Sequence, residues 1–422
     1  MLNRTAAPPI YDIHNLRLPR PEIIHLDNGI PVYVLDSPAP DIVKIEAVYR
    51  IGRPEEAKRL ASRATTQLLR EGTQSRTGAD IAEIFDFYGG TLATPVSLDT
   101  ASVVLLSLKK YATELLPVFA EVLQEPVFPE VELETFRRTN LQELQVELEK
   151  AEVVAYRQIT EKIFGAHHPY GYNSVAEDYH ALQRADLWQH YETWHTPANC
   201  QLFASGRIDA GMLQLLNAHL GQNQRTGLTP DFQSIVAEGR PAKVKTAQPG
   251  SLQTALRVGR RMFPREHPDF NGMFVLNTIL GGYFGSRLMT NIREKKGYTY
   301  NIYATLDAML HDGCFYIATE VNSDKATATL RQIMVELKKL REEPVEEQEL
   351  GMVRNYLLGM LLNGLDGPLN ASELVRNILV EGLRWENFEE MVQAIRTITP
   401  AQLQHLAQRY WQPEDLWTVV VG

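Results

Sequence analysis

A stretch near the middle of the chain and the stretch that ends it follow one pattern. Residues 186–206 read DLWQHYETWHTPANCQLFASG, and residues 402–422 read QLQHLAQRYWQPEDLWTVVVG. Each is an amphipathic helix closing on aromatics, then a proline at the same offset (Pro197, Pro413), then an apolar strand ending in glycine. Helix, proline-marked turn and strand is a common unit, so one match carries little weight. A second match is therefore decisive: IAEIFDFYGGTLAT at 81–94 parallels LMTNIREKKGYTYN at 288–301, again helix, glycine stop and strand. Both pairs keep their order at an offset of about 210 residues. Self-similarity at that scale is the mark of duplication, and it limits the chain to folds made of two related halves.

The elements of the two halves agree with this. LDNGIPVYVLD (26–36) predicts a hairpin turning at Asn28-Gly29. A strand over 41–52 and helices over 59–72 and 78–90 follow, then two alternating strands and long helices at 111–125 and 130–164. The second half repeats the scheme: a strand at 252–259, helices at 267–280 and 286–296, strands at 298–306 and 313–321, and helices at 324–342, 346–364 and 370–382. The fold class expected is α+β, two tandem homologous halves, each an antiparallel-rich mixed sheet with helices on one face. Residues 1–220 form the first domain, 251–422 the second, and the polar stretch 221–250 is the linker, which also has room for the first strand of the second half.

Composition removes several classes of function. The formal charge is -10, and the 42 Lys and Arg residues are spread without a basic block, which argues against a nucleic-acid partner. No apolar run reaches the roughly 18 residues of a membrane span, and the N-terminal residues show neither a secretory nor a transit signal. The two cysteines, Cys200 and Cys314, are far apart and fit a reducing compartment. The expectation is a cytoplasmic protein that does not engage membranes.

Familiar catalytic patterns are missing. No two of the 11 histidines have the i, i+4 spacing that places two imidazoles on one helix face for zinc. His190 and His195 are five apart and share no face, and His167-His168 fall in a loop before Pro169, so structural or surface roles are expected for all of these. There is no G-x-S-x-G elbow. GGYFGSRL (281–288) has glycines ahead of a helix but lacks the Gly-Lys-Ser/Thr ending of a phosphate loop. It reads as a tight turn, with Ser286 as the cap of the next helix.

One longer segment does carry a signature. GGYFGSRLMTNIREKKGYTYNIYA resembles the second-half signature of the pitrilysin-like M16 zinc peptidases, the group that includes the mitochondrial processing peptidase. DNGIPVYVLD, LLREGT after the first helix, HHPYG after the long acidic helix, and the closing TITPAQLQHLAQRYWQPEDLWTVVVG extend the resemblance over nearly the whole chain. It implies the M16 fold, with two halves of LuxS/metallohydrolase type and clamshell-like pairing.

The resemblance also shows a departure. Active members carry H-x-x-E-H on the first helix, just before the L-x-x-G-T turn. Those positions fall here on Arg63, Thr66 and Gln67 of RATTQ. An arginine cannot ligate a cation, glutamine is a poor zinc ligand, and a threonine hydroxyl cannot take a proton from water at neutral pH. The family's third ligand, a Glu about 76 residues on, matches Glu143, for which a surface or Arg-paired role is expected, with Arg63 as a candidate partner. No cofactor is therefore expected in this chain. The family's Arg and Tyr, seven residues apart in the second half, match Arg293 and Tyr300, with Tyr300 expected on the strand after Gly297. In the family such a pair donates to a peptide carbonyl.

The reading that results is a non-catalytic subunit of a heterodimeric zinc metallopeptidase. Arg293 and Tyr300 would hold the peptide substrate while a homologous partner supplies zinc and the general base. The alternatives are a scaffold subunit, a peptide-binding homodimer, and an enzyme with unusual metal ligands.

Overall fold

The computed structural model describes residues 13–39, 41–235 and 239–422. The first sheet contains β1 (Glu22–His25), β2 (Pro31–Asp36), β3 (Ile42–Tyr49), β4 (Thr91–Ala93), β5 (Ala101–Leu108) and β6 (Cys200–Gly206). Its order is β1-β2-β6-β3-β5-β4. The second sheet contains β7 (Lys243–Thr246), β8 (Gln253–Met262), β9 (Ile302–Ala308), β10 (Gly313–Asn322) and β11 (Trp417–Val421), ordered β7-β11-β8-β10-β9. Removing β1 makes the two orders superimpose. In each, the last strand of the half lies parallel to the first (β6 on β2, β11 on β7) and antiparallel to the next (β3, β8). The duplication read from the two proline-marked segments is thus a duplication of topology. Pro197 and Pro413 each open a single 3-10 turn that feeds β6 or β11. β7 lies inside the interval read as linker and pairs with the last strand of the chain; residues 236–238 of that interval fall outside the described residues.

Local signals explain the elements. β1 and β2 pair with Glu22 opposite Val34, and the turn uses Gly29 at φ +85, a conformation glycine adopts without steric cost. Asn28 Nδ2 then donates to the carbonyls of Leu220 (2.8 Å) and Asn223 (3.0 Å), tying the hairpin to the end of the first half. Period-2 alternation sorts β3 cleanly. Val43, Ile45 and Ala47 face one core together with Leu115, Phe119 and Leu216 from helices Ala112–Gln124 and Ala210–Leu220.

The opposite face differs from the one-sided arrangement expected. Lys44, Glu46 and Val48 face helix Gly367–Val380, which belongs to the second half of the chain. Lys44 pairs with Glu373, and Arg376 Nε donates to Glu46 at 2.7 Å. The exchange is reciprocal. Helix Ala151–Phe164 of the first half lies on the second sheet, packing Ala155 and Ile159 against Ala255, Ala318 and Val419. Arg257 of β8, 5% exposed, donates to the Glu152 carbonyl at 3.1 Å. Each sheet therefore carries its own helices on one face and a helix from the other half on the second. The helix expected over 130–164 is in fact two, Glu130–Leu148 and Ala151–Phe164, separated by an extended Lys150 (φ -88, ψ 120). That break redirects the chain from its own half to the neighbouring sheet. Before β1 the chain runs along the second half, where Leu16 and Leu18 enter its core and Arg396 donates to the Ile13 and His14 carbonyls. Among the described residues no helix is long and apolar enough to cross a membrane.

Candidate functional site

The turn at 281–285 approaches β9 closely: a Cβ on Gly281 would lie 2.5 Å from the Ala304 amide nitrogen. Beyond it, Met289–Lys295 winds as a wide π-helical segment, a form that recurs at functional positions. Leu288 and Ile292 are buried and anchor the segment in the core. Asn291 Nδ2 donates to Glu336 Oε1 at 2.6 Å, and Arg287 grips Glu349 in a bidentate pair at 2.9 and 2.7 Å. Ser286 is buried, but its hydroxyl has no partner, so it does not cap the helix as expected; only its carbonyl accepts, from Thr290 N at 2.9 Å.

Arg293 projects from this segment, half-buried, with its guanidinium 4.7 Å from the centre of the Phe284 ring. Gly297, at φ +62, ends the segment and its amide donates to the Arg293 carbonyl at 3.0 Å. Tyr300 does not lie on a strand, because β9 starts at Ile302. It sits in the preceding turn, and bonds to β10 explain why. Thr299 Oγ1 donates to the Glu320 carbonyl (2.7 Å) and Thr319 Oγ1 to the Asn301 carbonyl (2.8 Å). The backbone either side of Tyr300 is thereby pinned, and the ring is left 89% exposed. No hydrogen bond joins Arg293 to Tyr300 among the described residues. Both are accessible donors carried on anchored backbone.

The positions matching the zinc motif lie on the first α-helix. Helix Ala61–Leu68 carries Arg63 and Gln67 half-buried and Thr66 wholly buried. Thr66 Oγ1 donates to the Ser62 carbonyl at 2.8 Å, which commits its proton inside the helix. Glu143 is exposed on helix Glu130–Leu148 and forms no ion pair with Arg63 or any other described residue, so of the expected roles it takes the surface one. This donor set does not fit zinc: it offers one cation, one committed hydroxyl, one amide and a carboxylate out in solvent. Among the described residues no group of three His, Cys, Asp or Glu side chains could hold a metal ion.

Other titratable groups cluster where the halves meet. A cavity of about 510 Å³ opens between them, lined by Asp99, Tyr156, Tyr170, Arg265, Asp307 and Glu381 among others. Asp99 accepts from the Leu310 amide at 2.8 Å and from the Tyr170 hydroxyl, and burial raises its pKa. His168 is wholly buried nearby; its Nδ1 accepts from Tyr170 N at 3.0 Å and its Nε2 lies 3.6 Å from Asp312. His190 and His195, expected to share no face, have ring centroids 5.7 Å apart. The helix ends at Trp194, so His195 turns back over it. Burial pushes His190 down to about 4 and His195 well down, so both are neutral core side chains. Burial also raises Cys200 to about 12 and Cys314 well above the usual thiol value, which leaves neither as a nucleophile.

Glu55 and Glu56 lie beside a second cavity of about 440 Å³, where burial pushes each up to about 7. Their native pKa is raised above the ordinary 4.5. Their contribution to stability is thus complete below about 4.5 and is lost as pH rises through about 7. The expected result is a thermal midpoint that falls between about pH 5 and pH 8, with a smaller fall in Glu55→Gln, read by calorimetry at constant ionic strength. An equal fall in wild type and variant would contradict the assignment.

Sequence reasoning passes over Phe284, which was read only as part of a turn. The available signal is an aromatic inside a glycine-rich turn, nine residues before an arginine on the following helical segment.

The family model described as Peptidase M16 inactive domain matches residues 181–357. An uncharacterised zinc protease of Mycobacterium tuberculosis is 24% identical over 392 residues, 91% of this chain and 89% of that protein. The crystal structure of a peptidase M16 inactive domain from Pseudomonas fluorescens superposes with a TM-score of 0.87 at 20% identity, covering 95% of this chain and 98% of that one. A protease from Helicobacter pylori gives a TM-score of 0.88 at 16% identity, covering 96% and 100%. With the duplicated halves, these likenesses show that the chain has the fold of the M16-like peptidases, and that residues 181–357 match the peptidase M16 inactive domain.

Proposed function

We propose that this chain is the non-catalytic subunit of a heterodimeric M16 zinc metallopeptidase. It binds extended peptides and donates from Arg293 and Tyr300 to a backbone carbonyl. A homologous partner holds the metal and the general base. The observation that carries this reading is a contrast within one fold. The helix at 61–68 has lost every side chain suited to a metal, while Arg293 and Tyr300 remain accessible on anchored backbone. A charged and a neutral donor aimed at one carbonyl oxygen would position it and stabilise the negative charge that grows there when it is attacked.

The chain's own thiols are held protonated, its buried histidines neutral, and its motif helix offers neither a base nor a metal ligand. Purified alone, the chain is expected to hold far less than one zinc and to hydrolyse no peptide. Stoichiometric zinc with turnover in isolation would contradict the proposal. Co-expression with a homologue that carries H-x-x-E-H is the positive test: the pair should form and turn over peptides that neither chain cleaves alone. Assembly with undiminished turnover after Arg293→Ala and Tyr300→Phe would favour a purely structural subunit instead.

A further inference from the structure

The cavity of about 440 Å³ beside Glu55 and Glu56 has no part in the role proposed for Arg293, which lies in the other half of the chain. Its volume falls within the roughly 300–1,000 Å³ of small-molecule sites. Residues 54–58 and Ala61, helix Arg184–Trp194, and Leu228, Asp231 and Phe232 line it. Ala61 precedes Arg63 by two residues, and two steps of about 100° put their side chains on opposite sides of one helix. The cavity thus meets the motif helix on the side away from Arg63.

The charge on its wall is one-sided. Glu55, Glu56, Asp186 and Asp231 line it against one lysine, Lys58, and none of the four carboxylates has an ion-pair partner among the described residues. Glu56 uses both oxygens within the fold, on the Ser62 amide (3.1 Å) and the Tyr172 hydroxyl (2.5 Å). Glu55 accepts from the Gly52 amide at 2.7 Å through one oxygen, and its other oxygen has no partner among the described residues. A neutral group borders the same space. His190 lines the cavity, is 3% exposed, and its side chain makes no hydrogen bond among the described residues. Buried polar side chains are nearly always partnered, so a group inside the cavity is what His190 lacks. Its imidazole is neutral at pH 7 and therefore keeps one acceptor nitrogen. Trp194 and Phe232 supply aromatic surface, and Phe232 is held in place by stacking on His311 with centroids 4.2 Å apart.

We propose that this cavity binds an aliphatic ammonium ion, with Glu55 as its ion-pair partner, His190 as a neutral acceptor, and Trp194 and Phe232 against the attached alkyl chain. An ammonium group brings one positive charge and three donors to a wall with surplus negative charge and unused acceptors. The alkyl chain covers aromatic surface as a lysine stem does, and an indole face also attracts the cation. Asp186 and Asp231 suit the second charge of a diamine. Anions are repelled by the same wall, and an alcohol of equal length gains nothing from its charge. A free amine and a lysine side chain present the same head group.

The test is isothermal titration calorimetry on the full chain with 1,5-diaminopentane, with 1,5-pentanediol as the uncharged probe and Nα-acetyl-lysine amide as the side-chain source. At pH 8 the diamine is expected to bind at one site and the diol not to bind. Burial holds Glu55 at about 7, so it is mostly protonated at pH 6, and affinity should fall about 10-fold between pH 8 and pH 6 at constant ionic strength. His190 is neutral throughout that range. Arg53, Lys58, Asp99, Tyr172, Asp186 and Asp231 are the other charged or titratable groups facing the two glutamates. Glu55→Gln keeps the acceptor for the Gly52 amide and should weaken the diamine at least 10-fold at pH 8 while flattening the pH profile. Asp231→Asn, at an exposed position, should weaken it about 3-fold without changing the melting temperature. Competition by the lysine amide would assign the site to lysine side chains, and binding of the diamine alone would assign it to free amines; either result upholds the ammonium site. Absence of binding by both ammonium probes at pH 8, equal binding of the diol, or affinities unchanged in both variants would overturn it.

Discussion

Arg293→Ala, in the reconstituted pair, lowers kcat/KM for a test peptide by about 10²-fold, the usual effect of removing one preorganised donor to a developing oxyanion. The fall is expected mainly in kcat, because a bond that strengthens in the transition state contributes little to ground-state affinity. Assembly should be unaffected. Arg293 forms no ion pair among the described residues, and its one recorded aromatic contact is with a ring that is itself exposed. Tyr300→Phe should cost less, since it removes a neutral donor and leaves the charged one. Arg293→Lys is the informative control. Lysine keeps the charge but loses the planar fork, so partial recovery would show that charge matters more than geometry. Turnover within twofold of wild type for Arg293→Ala, in a pair that assembles normally, would remove these residues from the mechanism.

Arg376→Ala should be among the most destabilising single changes to the fold, with a loss of about 2–4 kcal/mol read from urea denaturation midpoints. Glu46 is almost wholly buried on β3, and Arg376 reaches it from helix Gly367–Val380, more than 300 residues along the chain. Removing the guanidinium leaves a buried carboxylate with Lys44, at 3.3 Å, as its one remaining ion-pair partner among the described residues. The double variant Arg376→Met/Glu46→Gln should recover much of the loss, because it removes the stranded charge as well. A loss below about 0.5 kcal/mol for Arg376→Ala would mean that this pair does not lock the halves together.

Arg376 also shows where reading the sequence stops. Signals confined to a few neighbouring residues were legible. Asn28-Gly29 marked the hairpin, Pro197 and Pro413 marked the turns into β6 and β11, and Gly297 marked the end of the segment bearing Arg293. Each works through a backbone restriction that its own residue imposes, so the surroundings change little. The alternation of β3 was equally plain, since apolar residues at every second position bury one face wherever the strand is placed.

Segment 281–300 divides the same way. Its glycines, arginine and tyrosine could be picked out from type and spacing. That Arg293 rests on Phe284, that Ser286 caps nothing, and that Tyr300 stands in a pinned turn could not. The pinning comes from Thr319 and Glu320, which reach that turn only after β9 and β10 have paired. The exchange of helices 151–164 and 367–380 is a further case. Amphipathicity told that each helix buries a face, but not which sheet would cover it. Local order follows from restrictions each residue carries with it; partners hundreds of residues apart follow from which apolar surfaces remain open once both sheets exist.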